Sequence, residues 1–87
     1  MDITEVKIRK VWENESKLAA LLSVTIGNEF VIHDIKIIRG NDRLFVAMPS
    51  RRDESGAFHD IAHPISQQSR KAMEETILKE YYNSLNS

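Results

Sequence analysis

The chain has 87 residues, 41% hydrophobic and 29% charged, a size that fits one small globular domain. It contains no cysteine, which excludes a disulfide framework, a thiol nucleophile and a thiolate zinc site. The net charge is −1, from 12 Lys and Arg against 13 Asp and Glu, so any binding of nucleic acid needs a local basic patch. A domain this short buries only about 60% of its unfolded surface, and a second copy would add burial.

The start of the sequence gives no sign of secretion or of membrane insertion. Residues 1–7 mix charged and apolar side chains from the outset, unlike a signal peptide. No run in the sequence approaches the ~18 apolar residues that cross a bilayer. We therefore expect a soluble, cytoplasmic protein with no membrane partner.

Alternating apolar residues predict the first three strands. Val6, Ile8 and Trp12 recur within the first strand, from Ile3 to Trp12. The second strand, from Leu18 to Ile26, has the clearest alternation. Gly27-Asn28 follows it and suits a two-residue primed hairpin turn, which requires positive φ. The second strand should therefore pair antiparallel with a third strand that begins at Phe30.

The apolar face of the third strand, Phe30 to Ile38, changes partway along. Phe30 and Ile32 share one parity, whereas Ile35 and Ile37 share the other. A β-bulge near His33-Asp34 would explain this switch. A strand covered on both faces, by the helix and by another copy of the chain, would explain it equally well.

The second half of the chain predicts short strands followed by one helix. A turn at residues 40–42 leads into a strand from Leu44 to Met48, which Pro49 ends, and residues 57–62 could add a final edge strand. After Pro64, Ser66 is a candidate N-cap for a helix over about residues 67–84. The apolar residues of that helix at helical spacing are Met73, Ile77, Leu78, Tyr81, Tyr82 and Leu85.

These elements predict an α+β fold in a single domain that covers residues 1–87. An antiparallel meander of four to five strands, within about residues 2–62, is covered by one C-terminal amphipathic helix at about residues 66–84.

The three histidines and their acidic neighbours do not predict a metal or catalytic site. His33 and Asp34 are adjacent and would point to opposite faces of a strand, while His59 and His63 flank an irregular stretch. Asp60 and His63 are better explained as hydrogen-bonding groups that tie the loop to the start of the helix. The sequence has no Gly-rich phosphate loop, and we expect no cofactor, no small-molecule substrate and no enzymatic activity.

Two short basic clusters are the candidate binding residues: Arg51-Arg52, and Arg70-Lys71 in the first turns of the helix. Guanidinium groups bind phosphate bidentately and also read guanine edges. An ordinary solvated surface is the alternative, and Asp53-Glu54 could partly neutralise the arginines. Aromatic stacking is not expected, because we assign Phe45 and Phe58 to the core.

Several segments together resemble the SpoVG family, the stage V sporulation proteins G or septation regulators. They are the opening MDITEVKIR, the FVIHDI strand from Phe30, the LFVAMPSRR run from Leu44, Gly56, the DIAHPI run from Asp60, and Glu80-Tyr81. The resemblance implies a small homodimer, paired through sheet edges, that binds DNA and also RNA and regulates gene expression. In spore formers it implies a link to asymmetric septation.

The resemblance also implies that the basic residues after the Pro-Ser signature and at the helix start contact nucleic acid. In this sequence they are Arg51, Arg52, Arg70 and Lys71. Our hypothesis is thus a non-enzymatic regulator that binds nucleic acid as a homodimer. The alternative is a module that acts on cell-division or regulatory proteins through an exposed strand edge or the helix, without contacting nucleic acid.

Overall fold

The computed structural model describes residues 2–13 and 15–86. Its elements in chain order are β1 (Ile3–Val11), β2 (Leu18–Ile26), β3 (Phe30–Arg39), β4 (Leu44–Ala47), β5 (Ser50–Arg52), β6 (Phe58–Asp60) and α1 (Gln67–Leu85). Strands β1 to β4 form an antiparallel meander in that order. The predicted α+β fold, a meander followed by one C-terminal helix, is confirmed.

The final predicted strand does not join the main sheet. It is β6, and it pairs antiparallel with β5, for which the sequence predicts no strand. The two strands form a separate hairpin that has at most marginal contact with the other elements. The radius of gyration is 13.2 Å, against about 12 Å for a compact chain of this length. The hairpin therefore projects from the body of the domain.

A bulge, one of the two explanations offered for β3, accounts for its switch of apolar face. Val24 pairs with Ile32 and Leu22 pairs with Ile35, so two residues of β3, His33 and Asp34, lie opposite the single residue Ser23. Asp34 has φ +63°, a conformation that Asp tolerates better than bulky residues do. The Ser23 hydroxyl and His33 Nδ1 are hydrogen-bonded at 2.9 Å across this irregularity.

The turn between β2 and β3 has the predicted positive φ at both central residues, +58° at Gly27 and +57° at Asn28. The prediction of a two-residue loop is wrong, because pairing resumes with Ile26 opposite Phe30 and Glu29 is part of the loop. The Glu29 amide donates to the Ile26 carbonyl at 3.1 Å. The tip of β1 supports the turn, since the Asn28 amide donates to Thr4 Oγ1.

The helix α1 begins as the sequence predicts, but only part of its predicted apolar face is covered, since Tyr82 and Leu85 are exposed. The Ser66 hydroxyl accepts a hydrogen bond from the Ser69 amide at 3.1 Å, as an N-cap does. Met73, Ile77 and Tyr81 are buried against one face of the sheet. The sheet contributes the rest of the buried apolar core, namely Ala19, Ala20, Leu22, Val24, Ile35, Ile37 and, just after β4, Met48. In the described ranges, no helix is both long and apolar enough to span a bilayer.

Arg39, at the end of β3, has a structural role that sequence reasoning missed. Its Nη1 donates to the carbonyls of Glu13 at 2.8 Å and Ser16 at 2.5 Å. Its Nη2 donates to the carbonyl of Trp12 at 3.0 Å. The guanidinium thus fixes the connection between β1 and β2, and no periodicity or motif marks such a contact.

Shortening the fully buried Ile77 tests the helix–sheet core. We expect Ile77→Ala to lower the free energy of unfolding by about 2–5 kcal/mol, because the substitution removes packed atoms and leaves a cavity. Ile65→Ala is the matched control: this side chain is 94% exposed, and its loss should change stability by less than about 0.5 kcal/mol. Urea titration of both variants at one protein concentration measures the difference, and equal losses would contradict the assigned core.

Candidate functional site

The structure places Arg51 and Arg52 on a strand rather than in a loop. Arg51 lies opposite His59 and Arg52 lies opposite Phe58 in the β5–β6 hairpin. Adjacent residues of a strand point to opposite faces, so the two guanidinium groups lie on different sides of the hairpin. Both side chains are exposed. Arg51 and Arg52 are therefore placed to contact partners on two sides of the hairpin, and they do not form a single binding site.

Asp53 organises the tip of this hairpin. Its Oδ1 accepts hydrogen bonds from the Ser55 amide at 2.9 Å, the Ser55 hydroxyl at 2.6 Å and the Ala57 amide at 3.1 Å. Its Oδ2 lies 2.7 Å from His59 Nε2. Gly56 completes the turn with φ +91°, which favours glycine. One carboxylate thus closes the loop and joins it to β6.

These contacts stabilise the ionised form of Asp53. The hydrogen bonds from the Ser55 side chain and from His59, with those of the loop amides, lower the pKa of Asp53 from 3.8 to about 2. Within the described ranges, this contact with His59 is the only approach of a carboxylate oxygen to a basic side-chain nitrogen closer than 4.0 Å. The carboxylate is therefore committed to the loop, and Arg51 and Arg52 have no such partner among the described residues.

The second basic cluster has a member that the sequence did not reveal. Arg43, in the turn before β4, lines a shallow groove together with Arg70 and Lys71 of α1. The other lining residues are Gln67, Glu74, Glu75 and Leu78. Three cations therefore face two carboxylates. Because Arg43 is distant from α1 in the sequence, only the packing of β4 against the helix reveals this cluster.

The groove extends along α1 from Gln67 to Leu78, and its first part lies at the N-terminal end of the helix, where the backbone also favours anions. The first turn of the helix contains no acidic residue. Unpaired amide N–H groups and the helix dipole give such an end a partial positive charge. Arg70 also lines the seam between α1 and β4, beside Met48 and Pro64. The arrangement can hold a phosphate by charge and by hydrogen bonding.

The aromatic side chains do not all follow the sequence prediction. The prediction that Phe45 and Phe58 belong to the core is wrong for both residues, and Phe58 is 70% exposed. Phe45 is 39% exposed and lies on β4, on the sheet face opposite the helix, next to Ile38. Ile61 and Ile65, which follow the hairpin, are 66% and 94% exposed. No sequence pattern marks Phe58 as exposed, because the hairpin is too short for its periodicity to be read.

The prediction that Asp60 and His63 tie the loop to the start of the helix is wrong, and among the described residues no side-chain hydrogen bond of Asp60 is found. The loop is tied by Asp53 and His59, whereas His63 Nδ1 contacts the carbonyl of the neighbouring Pro64 at 3.0 Å. Asp53 lies between the Ser55 hydroxyl and His59, but a catalytic triad needs the histidine next to the hydroxyl. Over residues 2–13 and 15–86, no group of three or more His, Asp or Glu is arranged to hold a metal ion.

Comparison with known proteins identifies one family. The SpoVG family profile matches residues 1–83. A protein of Thermoanaerobacter sp. strain X514, named "Putative septation protein SpoVG", is 54% identical over 81 residues, which cover 93% of this chain and 87% of that protein. Proteins with the same name in Clostridium novyi strain NT and Geobacillus thermodenitrificans strain NG80-2 are 53% and 50% identical. They align with 93% and 94% of this chain, and with 80% and 84% of their own lengths.

The lowered pKa of Asp53 predicts how the hairpin responds to acid. Because folding lowers this pKa, the ionised carboxylate stabilises the hairpin above about pH 4, and that stabilisation is lost as the pH falls towards 2. We expect the amide NMR shifts of Ser55 and Ala57 to titrate with a midpoint of about pH 2. An Ile77 methyl resonance reports whether the core is still folded.

Asp53→Asn is the control for this titration, since it keeps the shape of the side chain and removes the charge. The variant should lack the transition near pH 2 and should show weaker hydrogen-exchange protection at Ala57. A midpoint near pH 4 in the unmodified protein would contradict the hydrogen bonding assigned to Asp53.

Proposed function

Because the chain belongs to the SpoVG family, we propose that it is a non-enzymatic regulator that binds DNA and RNA as a homodimer. We further propose that it acts in the cytoplasm, in the control of gene expression linked to septation and sporulation. The relatives carry septation in their names, which supports the cellular role.

The groove at the start of α1 is the observation that carries the nucleic-acid proposal. Arg43, Arg70 and Lys71 line this groove, together with Glu74 and Glu75, and the first turn of the helix has no acidic residue. Phosphate oxygens are the ligands that such a site favours, and phosphate contacts dominate affinity for nucleic acid. Arg51 and Arg52 on the projecting hairpin extend the proposed contact surface beyond the body of the domain.

The proposed homodimer forms through sheet edges. Strands β1 and β4 each pair on one side only, so their other backbone edges are available within the described structure. The sheet face opposite the helix also leaves Val31 and Phe45 exposed by 45% and 39%. A second copy would bury such groups and would repeat each basic cluster, so that one nucleic acid could contact both copies.

One observation favours a second candidate function, binding to a cell-division or regulatory protein without nucleic acid. The hairpin carries Asp53, Glu54 and Asp60 as well as its two arginines, so its carboxylates outnumber its cations. A folded dimer that binds neither DNA nor RNA at low salt, yet captures a partner from nuclease-treated lysate, would favour this function.

Charge reversal tests the nucleic-acid proposal. We expect Arg51→Glu/Arg52→Glu and Arg70→Glu/Lys71→Glu each to weaken binding by at least about 10-fold, because each replaces two phosphate contacts with repulsion. The slope of log affinity against log salt should fall by about 1 per lost contact. Fluorescence anisotropy of labelled duplex DNA, single-stranded DNA and RNA at two salt concentrations measures both quantities.

Arg9→Glu/Lys17→Glu is the matched control. It makes the same change in net charge at two exposed positions, one in β1 and one just before β2, neither of which lines the groove or belongs to the hairpin. This control should reduce affinity much less than the two test variants do. Equal losses in all three would mean that net charge alone governs binding, and unchanged affinity in the test variants would reject the assigned residues. Sedimentation velocity checks that each variant still forms the dimer.

A further inference from the structure

We propose that the hairpin face carrying Phe58 and Arg52 is a stacking site for an unpaired base, so that this part of the protein binds single-stranded nucleic acid. The inference rests on the proposed function and adds to it the form of nucleic acid and the residue that recognises it. Three properties of the hairpin support it: the exposure of Phe58, the direction of Arg52 and the local charge.

Phe58 is unusually exposed for a phenylalanine in a strand. Its side chain is 70% accessible, although Phe is among the residues most often buried. Phe58 lies in β6, directly opposite Arg52 of β5, so the two side chains project from the same face of the hairpin. An aromatic ring beside a cation on one surface is the combination with which proteins bind single strands.

Among the described residues, no aromatic or cation–π contact involves the ring of Phe58. The Arg52 guanidinium points towards the turn, where its Nη2 lies 3.4 Å from the position that a Cβ on Gly56 would take. The aromatic contacts found among residues 2–13 and 15–86 join Tyr81 to Tyr82 and Lys10 to Trp12. Arg52 is thus placed to contact a phosphate beside the ring without blocking it.

The hairpin holds this ring on a defined backbone. Phe58 follows Ala57, whose amide donates to Asp53, and precedes His59, whose ring contacts the same carboxylate. These two neighbours fix the strand on both sides of Phe58. A base could therefore stack without first ordering a flexible loop, which lowers the entropic cost of binding.

The charge of the hairpin favours stacking over backbone contact. Because Asp53 is held by its own turn, the two arginines stand against the two remaining carboxylates, Glu54 and Asp60, and the hairpin has no net positive charge that would bind phosphate strongly. Stacking on an aromatic ring needs no net positive charge and accepts every base, because each base has a π face. In a duplex those faces are covered by neighbouring base pairs. The hairpin should therefore discriminate in favour of unpaired nucleotides.

The test compares Phe58→Leu with Phe58→Trp in the complete chain. Leucine keeps an apolar side chain but removes the π face, whereas tryptophan keeps a stacking surface. Anisotropy titrations use a single-stranded oligonucleotide and the duplex of the same sequence. We expect Phe58→Leu to weaken single-strand binding by about 5- to 100-fold and to leave duplex binding within about 2-fold. Phe58→Trp should retain single-strand affinity.

The possible results separate this inference from the proposed function. If binding depends on the basic residues but Phe58→Leu binds single strands normally, the stacking site is wrong and the proposed function stands. If Phe58→Leu separates the dimer in sedimentation and weakens single-strand and duplex binding equally, Phe58 lies between two copies and the inference is again wrong. If the unmodified protein binds no nucleic acid, both the proposed function and the stacking site are wrong.

Discussion

The bulge at His33 and Asp34 is the constraint on which the sheet depends. Side chains of a strand alternate between faces, so without an extra residue Ile35 and Ile37 would face away from the helix while Ile32 faced it. The bulge lets two residues of β3 lie opposite Ser23 and resets the alternation. All three isoleucines then contribute to the core beneath α1. The positive φ of Asp34 and the contact between Ser23 and His33 accommodate the irregularity.

The same principle, a short polar contact that fixes backbone geometry, recurs at the hairpin and at the first loop. Asp53 joins three donors of its own turn to His59, and Arg39 joins four backbone carbonyls near the β1–β2 connection. In both cases the charge acts on the chain itself. A count of charged residues therefore misstates what is free to bind a partner: Asp53 is not available to neutralise its neighbouring arginines, although it lies next to them in the sequence.

The candidate interface consists of two parts with different physical characters. The groove at the helix start combines Arg43, Arg70 and Lys71 with a helix end, which favours phosphate. The projecting hairpin has little net charge. It exposes Phe58 opposite Arg52, and this arrangement favours contact with a base. In the proposed function, the groove supplies the electrostatic part of the affinity for nucleic acid and the hairpin supplies the stacking part. A protein of net charge −1 can thus carry a local site for a polyanion without being basic as a whole.

Regular and local features could be read from the sequence: the strands with period two, the positive φ at Gly27-Asn28, the Ser66 cap and the burial of Met73, Ile77 and Tyr81. Each depends on residues close together in the chain, so its physical cause is present in the sequence itself. The sequence also raised a bulge in β3 but could not distinguish it from a strand covered twice. Only the tertiary structure showed that the bulge is present. It also showed that Arg51 and Arg52 point to opposite faces of a hairpin, that Phe58 is exposed and that Arg43 lies beside α1. These outcomes depend on strand register and on packing between distant segments, and no short pattern of residues determines either.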